Sequence, residues 1–184
     1  MIGAADRSRL LAVARESIEA MLRGRPFEPA VPEAGPLAEE RGAFVTLTAG
    51  GRLRGCIGRV VADMPLVRVV AEMAVAAARD DYRFDKIDEK ELPRIRIEIS
   101  AMSPLRILAD PSREVEVGRH GLIVRRGSSS GLLLPQVASG EGWDTERFLR
   151  ETCRKAGLPP EAWKEEDATV QAFEAEVWGE EGAR

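Results

Sequence analysis

An α+β fold, with helices and strands segregated and not strictly alternating, is predicted for this 184-residue chain. Three observations predict it. Apolar and polar side chains alternate over short stretches, as in Ile95-Arg96-Ile97-Glu98-Ile99-Ser100-Ala101, the pattern of a half-buried strand. Apolar residues recur at three- and four-residue steps in a few longer stretches, the pattern of an amphipathic helix. Glycine and proline clusters separate the two kinds of segment. The expected sum is about seven short strands, in an antiparallel or mixed sheet, packed by at most four helical segments.

Composition bounds the problem. An apolar fraction of 44% and a charged fraction of 32% are ordinary for a soluble protein, and the length suffices for a real core, as one unit or two small interleaved lobes. No apolar run approaches the ~18 residues of a membrane span. The start, Met1-Ile2-Gly3-Ala4-Ala5-Asp6, lacks the basic and apolar regions of a signal peptide. Two cysteines in such a chain are expected as reduced thiols in the cytoplasm. A net charge of −4 argues against a general nucleic-acid binder, since phosphate contacts need cations.

In order, Asp6 to Arg23 is expected to form a helix through Leu10, Leu11, Val13, Ala14, Ile18, Met21 and Leu22, ended by Gly24. Residues 24–41, with Pro26, Pro29, Pro32 and Pro36, form a connector, and the core occupies 42–178 of a single domain, 1–184. Gly42 to Thr48 is a strand, Ala49-Gly50-Gly51-Arg52 a turn, and 51–61 pairs back as a hairpin. Asp63 and Pro65 open a helix to Arg79, with Leu66, Val69, Val70, Met73, Ala74 and Ala77 as its buried stripe. Asp80, Asp81, Asp85 and Asp88 are expected in a solvated loop, not a metal site, with Asp88 capping a short turn before Pro93. Strands follow at 95–102, 115–117, 120–126 and 131–134, with residues 127–131 as a hairpin tip. Pro135 stops the last of them. Asp144 caps a helix over Thr145–Ala156 that carries Phe148, Leu149, Thr152 and Cys153 inward, closed by Gly157 and Pro159. Val170 to Trp178 is the final strand.

The chemistry centres on Leu53-Arg54-Gly55-Cys56-Ile57-Gly58. Read as a strand, it places Arg54 and Cys56 on one face, so the guanidinium is expected to favour the reactive thiolate. The glycines would let a ligand or another backbone approach closely. The same residues also fit a packed, inert cysteine beside a bulge. His120, the one histidine, is either a general base or a turn residue bonding backbone. Arg83 either holds an anionic group or pairs with a neighbouring aspartate. One histidine and two cysteines far apart in sequence cannot build a zinc site, so no metal is expected.

The hexamer also resembles the AMMECR family, the A proteins of the AmmeMemoRadiSam system. Ala43-Phe44-Val45-Thr46-Leu47 before it and Arg83-Phe84 after it carry the likeness on. So do Ile99-Ser100-Ala101-Met102-Ser103-Pro104, His120-Gly121-Leu122, Leu133-Leu134-Pro135-Gln136-Val137, Gly142-Trp143, Phe148-Leu149 and Lys155-Ala156-Gly157, in family order from about residue 8 to 178. Tyr82 departs from it, standing where the family usually has proline. The resemblance implies two interleaved lobes with a cleft between them. It also implies a place in a modification pathway beside Memo-like and radical-SAM partners.

Two functional readings follow. In the first, a small cytoplasmic enzyme uses Cys56 with His120 on a small or nucleobase-like substrate held by Arg54, Arg83, Glu98, Ser100 and Gln136, with no cofactor. In the second, the cleft of a non-catalytic module recognises a protein or ligand, with Trp143, Trp163 and Trp178 as its aromatic anchors or simply as core. A third idea, nucleic acid on Arg52, Arg54 and Arg59, is weaker than a local anion site.

Overall fold

A computed structural model describes residues 1–182. The chain is α+β, with seven strands and five α-helices among the described residues. It divides into two compact units, Met1–Met102 with the chain from Glu176 onward, and Ser103–Ala175. The second is thus inserted in the sequence of the first.

The first unit opens with α1 (Ala4–Leu22), then β1 (Ala43–Ala49), β2 (Arg52–Arg59), α2 (Leu66–Arg79) and β3 (Ile95–Met102). Gly50 and Gly51, both at positive φ (57° and 74°), make the two-residue turn of the β1–β2 hairpin, a geometry that L side chains resist. β1 pairs antiparallel with both β2 and β3. Alternation sends Val45, Leu47, Ile95, Ile97 and Ile99 to one face, where they share a core with Leu10, Ile18, Leu66, Val70 and Ala74 of α1 and α2. The alanines of α2 let its backbone come close to β2: a Cβ added at Gly55 would lie 2.1 Å from the Ala77 carbonyl oxygen.

The second unit contains β4 (Arg106–Ile107), α3 (Pro111–Glu114), β5 (His120–Arg126), β6 (Ser129–Leu133), α4 (Pro135–Gly140), α5 (Thr145–Lys155) and most of β7 (Ala168–Gly179). β5 pairs antiparallel with β6 and β7, and β4 with β7. Leu122, Val124, Phe148, Leu149, Cys153, Val170 and Ala172 form its core. Asp144 caps α5 as expected, its carboxylate accepting from the Arg147 amide at 2.8 Å. Asp144→Ala is expected to cost about 1 kcal/mol, measurable as a lower midpoint in urea unfolding.

Four expectations need correction. Residues 115–117 are not a strand: Val115 leaves the short helix α3 and is buried in the second core, with no partner strand beside it. Pro135 does more than stop a strand, because proline lacks an amide proton and suits a first helical turn, and it opens α4. With α3 and α4 the helices number five, one more than expected. The hairpin tip is also tighter than 127–131, since only Gly127 and Ser128 lie between Arg126 and its partner Ser129.

Both units repeat one ββαβ frame, which no sequence repeat announces. β1, β2, α2 and β3 have the strand order β2-β1-β3, and β5, β6, α5 and β7 have the order β6-β5-β7. Counted from the two hairpin turns, Leu47↔Gly55 in the first corresponds to Val124↔Gly131 in the second. Each of these glycines lies under the end of its helix. An added Cβ at Gly131 would come within 2.3 Å of the Ala156 amide nitrogen, as one at Gly55 would meet Ala77.

Candidate functional site

Cys56 sits on β2 directly opposite Thr46 of β1, and Thr46 in turn opposite Glu98 of β3. Directly opposed residues share a face, so Cys56, Thr46 and Glu98 form one polar row across the sheet. Phe44 and Ser100 occupy the next row, opposite Gly58. This is the face away from α1 and α2, because the alternate residues Leu47 and Ile97 point into the helical core. The Cys56 side chain is half-buried, Ser100 is buried, and Sγ lies 3.3 Å from the Thr46 hydroxyl oxygen. Gly58 is needed for this row, since the Phe44 ring would lie 2.0 Å from a Cβ there.

The Cys56 backbone is held from the other side. Its amide points away from β1 and donates to Asp81 Oδ2 at 2.9 Å, and its carbonyl accepts from Arg83 at 3.4 Å. Arg83 and Asp81 are joined by two bonds of 2.8 and 2.6 Å. Arg83 beside Asp81, with the amides of Cys56 and Arg83, holds that carboxyl well below the usual carboxylate range against the opposing effect of burial. The pair thus occupies the free edge of β2 at Cys56, where another chain could otherwise add.

Arg54 behaves differently from the expectation. The register slips between Leu47 and Thr48, with Thr48 opposite Leu53 and Leu47 opposite Gly55, so Arg54 is the extra residue of a bulge. Its guanidinium forks onto Glu91 at 2.8 and 2.9 Å and donates to the Asp85 carbonyl at 2.6 Å. Glu91, Asp85 and Asp88 raise the Arg54 pKa, with the Glu91 bond the largest cause. Arg83, in contrast, reaches the Cys56 backbone, its guanidinium donating to the Cys56 carbonyl.

Other predicted site residues are placed as follows. His120 is buried, and its Nδ1 accepts from the Glu116 amide at 3.0 Å, which is the backbone-bonding alternative. It belongs to the second unit and Cys56 to the first. Gln136 lies on α4 of the second unit with its side chain exposed. The expectation of a wholly solvated aspartate loop is corrected at Asp81, which is 4% exposed. Asp88 does cap the turn, its carboxylate accepting from the amides of Lys90 and Glu91 at 2.9 Å each. No group of three or more metal-ligating side chains occurs among the described residues. Arg59 is paired with Asp63 and Arg54 with Glu91, so two of the three arginines around the hairpin already hold carboxylates. The indoles of Trp143 and Trp163 pack on the second core, and Trp178 belongs to the first.

The sequence gives no sign of a role for Thr46 or Glu91, and places Asp81 only in a solvated loop. Only the pairing of β1 with β2 puts Thr46 beside the thiol, and only the end of α2 returns Asp81 to β2. A cavity of about 720 Å³ adjoins this region, bordered by Arg54, Tyr82, Arg83, Lys86 and Glu91 among others. A cavity of about 790 Å³ between α1 and α2 contains none of the predicted site residues.

The comparison with known sequences decides the family. A sequence model of the AMMECR1 family matches residues 11–178. The chain belongs to the AMMECR1 family. A protein of Thermococcus onnurineus is 46% identical over 184 residues, covering 94% of this chain and 89% of the relative. Protein PF1979 of Pyrococcus furiosus is 44% identical, covering 95% of this chain and 88% of its own. The crystal structure of the uncharacterized protein PH0010 from Pyrococcus horikoshii superposes with a TM-score of 0.81 at 42% identity, over 94% of this chain and 90% of that one. The PH0010 structure is therefore similar to this chain in fold over nearly its whole length. No described helix is long and apolar enough to cross a membrane.

Proposed function

We propose that this AMMECR1-family protein is a small cytoplasmic enzyme that acts on a small molecule through the thiol of Cys56. The observation that carries the reading is the polar row Cys56–Thr46–Glu98, backed by Asp81 and Arg83. The frame of the second unit provides an internal comparison. Counted by the same register, its equivalents are Leu132, Ile123 and Gln171. A thiol, a hydroxyl and a carboxylate therefore stand where the duplicate frame has two aliphatic side chains and an amide. The second unit builds the same frame without any of the three.

Each group has a role in this reading. The sulfur is the nucleophile, and the Thr46 hydroxyl is its nearest polar neighbour and orients it. Glu98 and Ser100 offer polar contacts on the same face to a ligand bearing hydrogen-bond donors, a nucleobase-like edge being one. Arg83, bonded to the Cys56 carbonyl, offers its guanidinium to an anionic group of the ligand. His120 is given no step in this reading, because the row that carries it lies within the first unit and His120 belongs to the second. On the strength of the family resemblance, the step belongs to a modification pathway shared with Memo-like and radical-SAM partners.

The test is alkylation by iodoacetamide under native conditions, followed by mass spectrometry. Cys56 is expected to react in the folded protein. Cys153 is fully buried in the second core, and burial pushes its thiol pKa up, so it is expected to react only on unfolding. An inert Cys56 would remove the nucleophile and leave the non-catalytic binding module as the function of this face.

A further inference from the structure

The two ββαβ frames differ in one more respect, and it concerns how Cys56 is held. The register of β5–β6 runs from the turn to Gly131 without interruption, while that of β1–β2 carries Arg54 as an inserted residue before Gly55. The chain after each helix differs as well. Past α2 it folds back as residues 80–91 and is fastened to β2 at two points. At one, Asp81 and Arg83 bond the amide and carbonyl of Cys56. At the other, the inserted Arg54 forks onto Glu91 and reaches the carbonyls of Asp85 and Lys86. Both fastenings lie within two residues of each other on β2.

We infer that Arg54, Asp81 and Glu91 are positioning residues of the Cys56 site, acting through segment 80–91 as a strap that fixes β2 at the thiol. This rests on the reading of Cys56 as the functional group. A bulge re-aims the side chain it inserts and bends the strand beside it. Here it turns Arg54 to the strap, and the fork fixes both distance and angle because guanidinium and carboxylate are planar and match in two bonds. Closing the strap at Glu91 restrains the other end, where Asp81 must meet an amide at the unpaired edge of the sheet. The Arg54 side chain is only 17% exposed and that of Asp81 3%, so neither fastening is a loose surface pair. In this arrangement Arg54 serves the thiol through the strap and not by its own charge, which Glu91 neutralises. The cation bonded to the Cys56 backbone is Arg83, itself delivered by the strap.

A charge swap tests the inference. Arg54→Glu and Glu91→Arg are each expected to speed hydrogen exchange of the Cys56 amide at least about tenfold, which corresponds to ~1.4 kcal/mol of lost local restraint. Each should also change the alkylation rate of Cys56. The double variant Arg54→Glu/Glu91→Arg restores an opposite-charge pair and is expected to return both readouts most of the way to the parent. Cys153 reports global unfolding and should stay unreactive throughout. Should Arg54→Glu fail to fold, Arg54→Lys gives the same comparison, since an ammonium cannot reproduce the fork and an intermediate exchange rate is expected. Cys56 reactive in the parent, with its amide exchange unmoved in the single variants, overturns the positioning role alone. Cys56 inert in the folded parent overturns the underlying reading and the positioning role with it. Singles that respond and a double that does not recover show general damage at these positions, and also overturn the inference.

Discussion

Gly55→Ala is expected to lower stability by about 3 kcal/mol, the upper part of the range for overpacking a core. An alanine there places its Cβ 2.1 Å from the carbonyl oxygen of Ala77. The obstacle is helix backbone, not the end of a flexible side chain, so it cannot rotate away. Relief requires lifting α2 from β2, and α2 also shares the first core with α1 and β1 through Leu66, Val70 and Ala74. For a chain of this length the loss amounts to roughly 6–12 °C in melting temperature. Gly131→Ala, whose Cβ would meet the Ala156 amide nitrogen at 2.3 Å, is expected to cause a similar loss in the second unit. Gly140→Ala is the control, since nothing lies within 4 Å of its Cβ, and it should stay within about 0.5 kcal/mol. Calorimetry of the three variants checks the set. Equal melting temperatures for Gly55→Ala and the parent would mean that the helix does not rest on this glycine.

The second large effect is at Asp81. Asp81→Ala removes the acceptor of the Cys56 amide and the partner of Arg83 together. Arg83 has a side chain 45% exposed and regains water, so most of the penalty comes from the half-buried amide left without an acceptor. A loss of roughly 2 kcal/mol is expected at neutral pH, within the range for orphaning a buried polar group. The pH dependence carries a definite sign. Folding lowers the Asp81 pKa, so the native state binds fewer protons than the unfolded one below the ordinary carboxylate value. Its stabilisation is complete above about pH 4, where the unfolded carboxyl is already ionised. It is lost as pH falls below that value toward the folded pKa. Glu91 and Glu176 are lowered too, by Arg54 and by the Ile2 amide with Arg7 and Arg41 respectively, so the acid limb is shared. Urea unfolding between pH 2 and 7 should therefore show a shallower acid limb in Asp81→Asn than in the parent. An unchanged limb would show that Asp81 is not ionised against its surroundings in the way its contacts require.

Much of the fold was legible because it depends on local rules. Alternation over 95–102 and the steps of Leu66, Val70 and Ala74 state which face of an element is apolar. Gly50-Gly51 and Asp144 state where a strand turns and a helix starts. These signals lie within a few residues of what they determine. Elements too short to show a period were misread or missed: α3 and α4 are helices of four and six residues, and β4 is two residues long.

What the sequence determined by itself about the site was its centre and its family, since the hexamer with Cys56 and the ordered blocks around it need no structure to be recognised. Tertiary structure decided everything about how that centre is surrounded. Thr46 and Glu98 become neighbours of Cys56 only through antiparallel pairing, Asp81 only because α2 ends beside the edge of β2, and Arg54 turns to Glu91 only through a one-residue slip in register. Local periodicity assigns a side chain to a face, but a hydrogen bond depends on the register between strands distant in the chain. A slip of one residue there moves a guanidinium from one partner to another without any change in the local pattern.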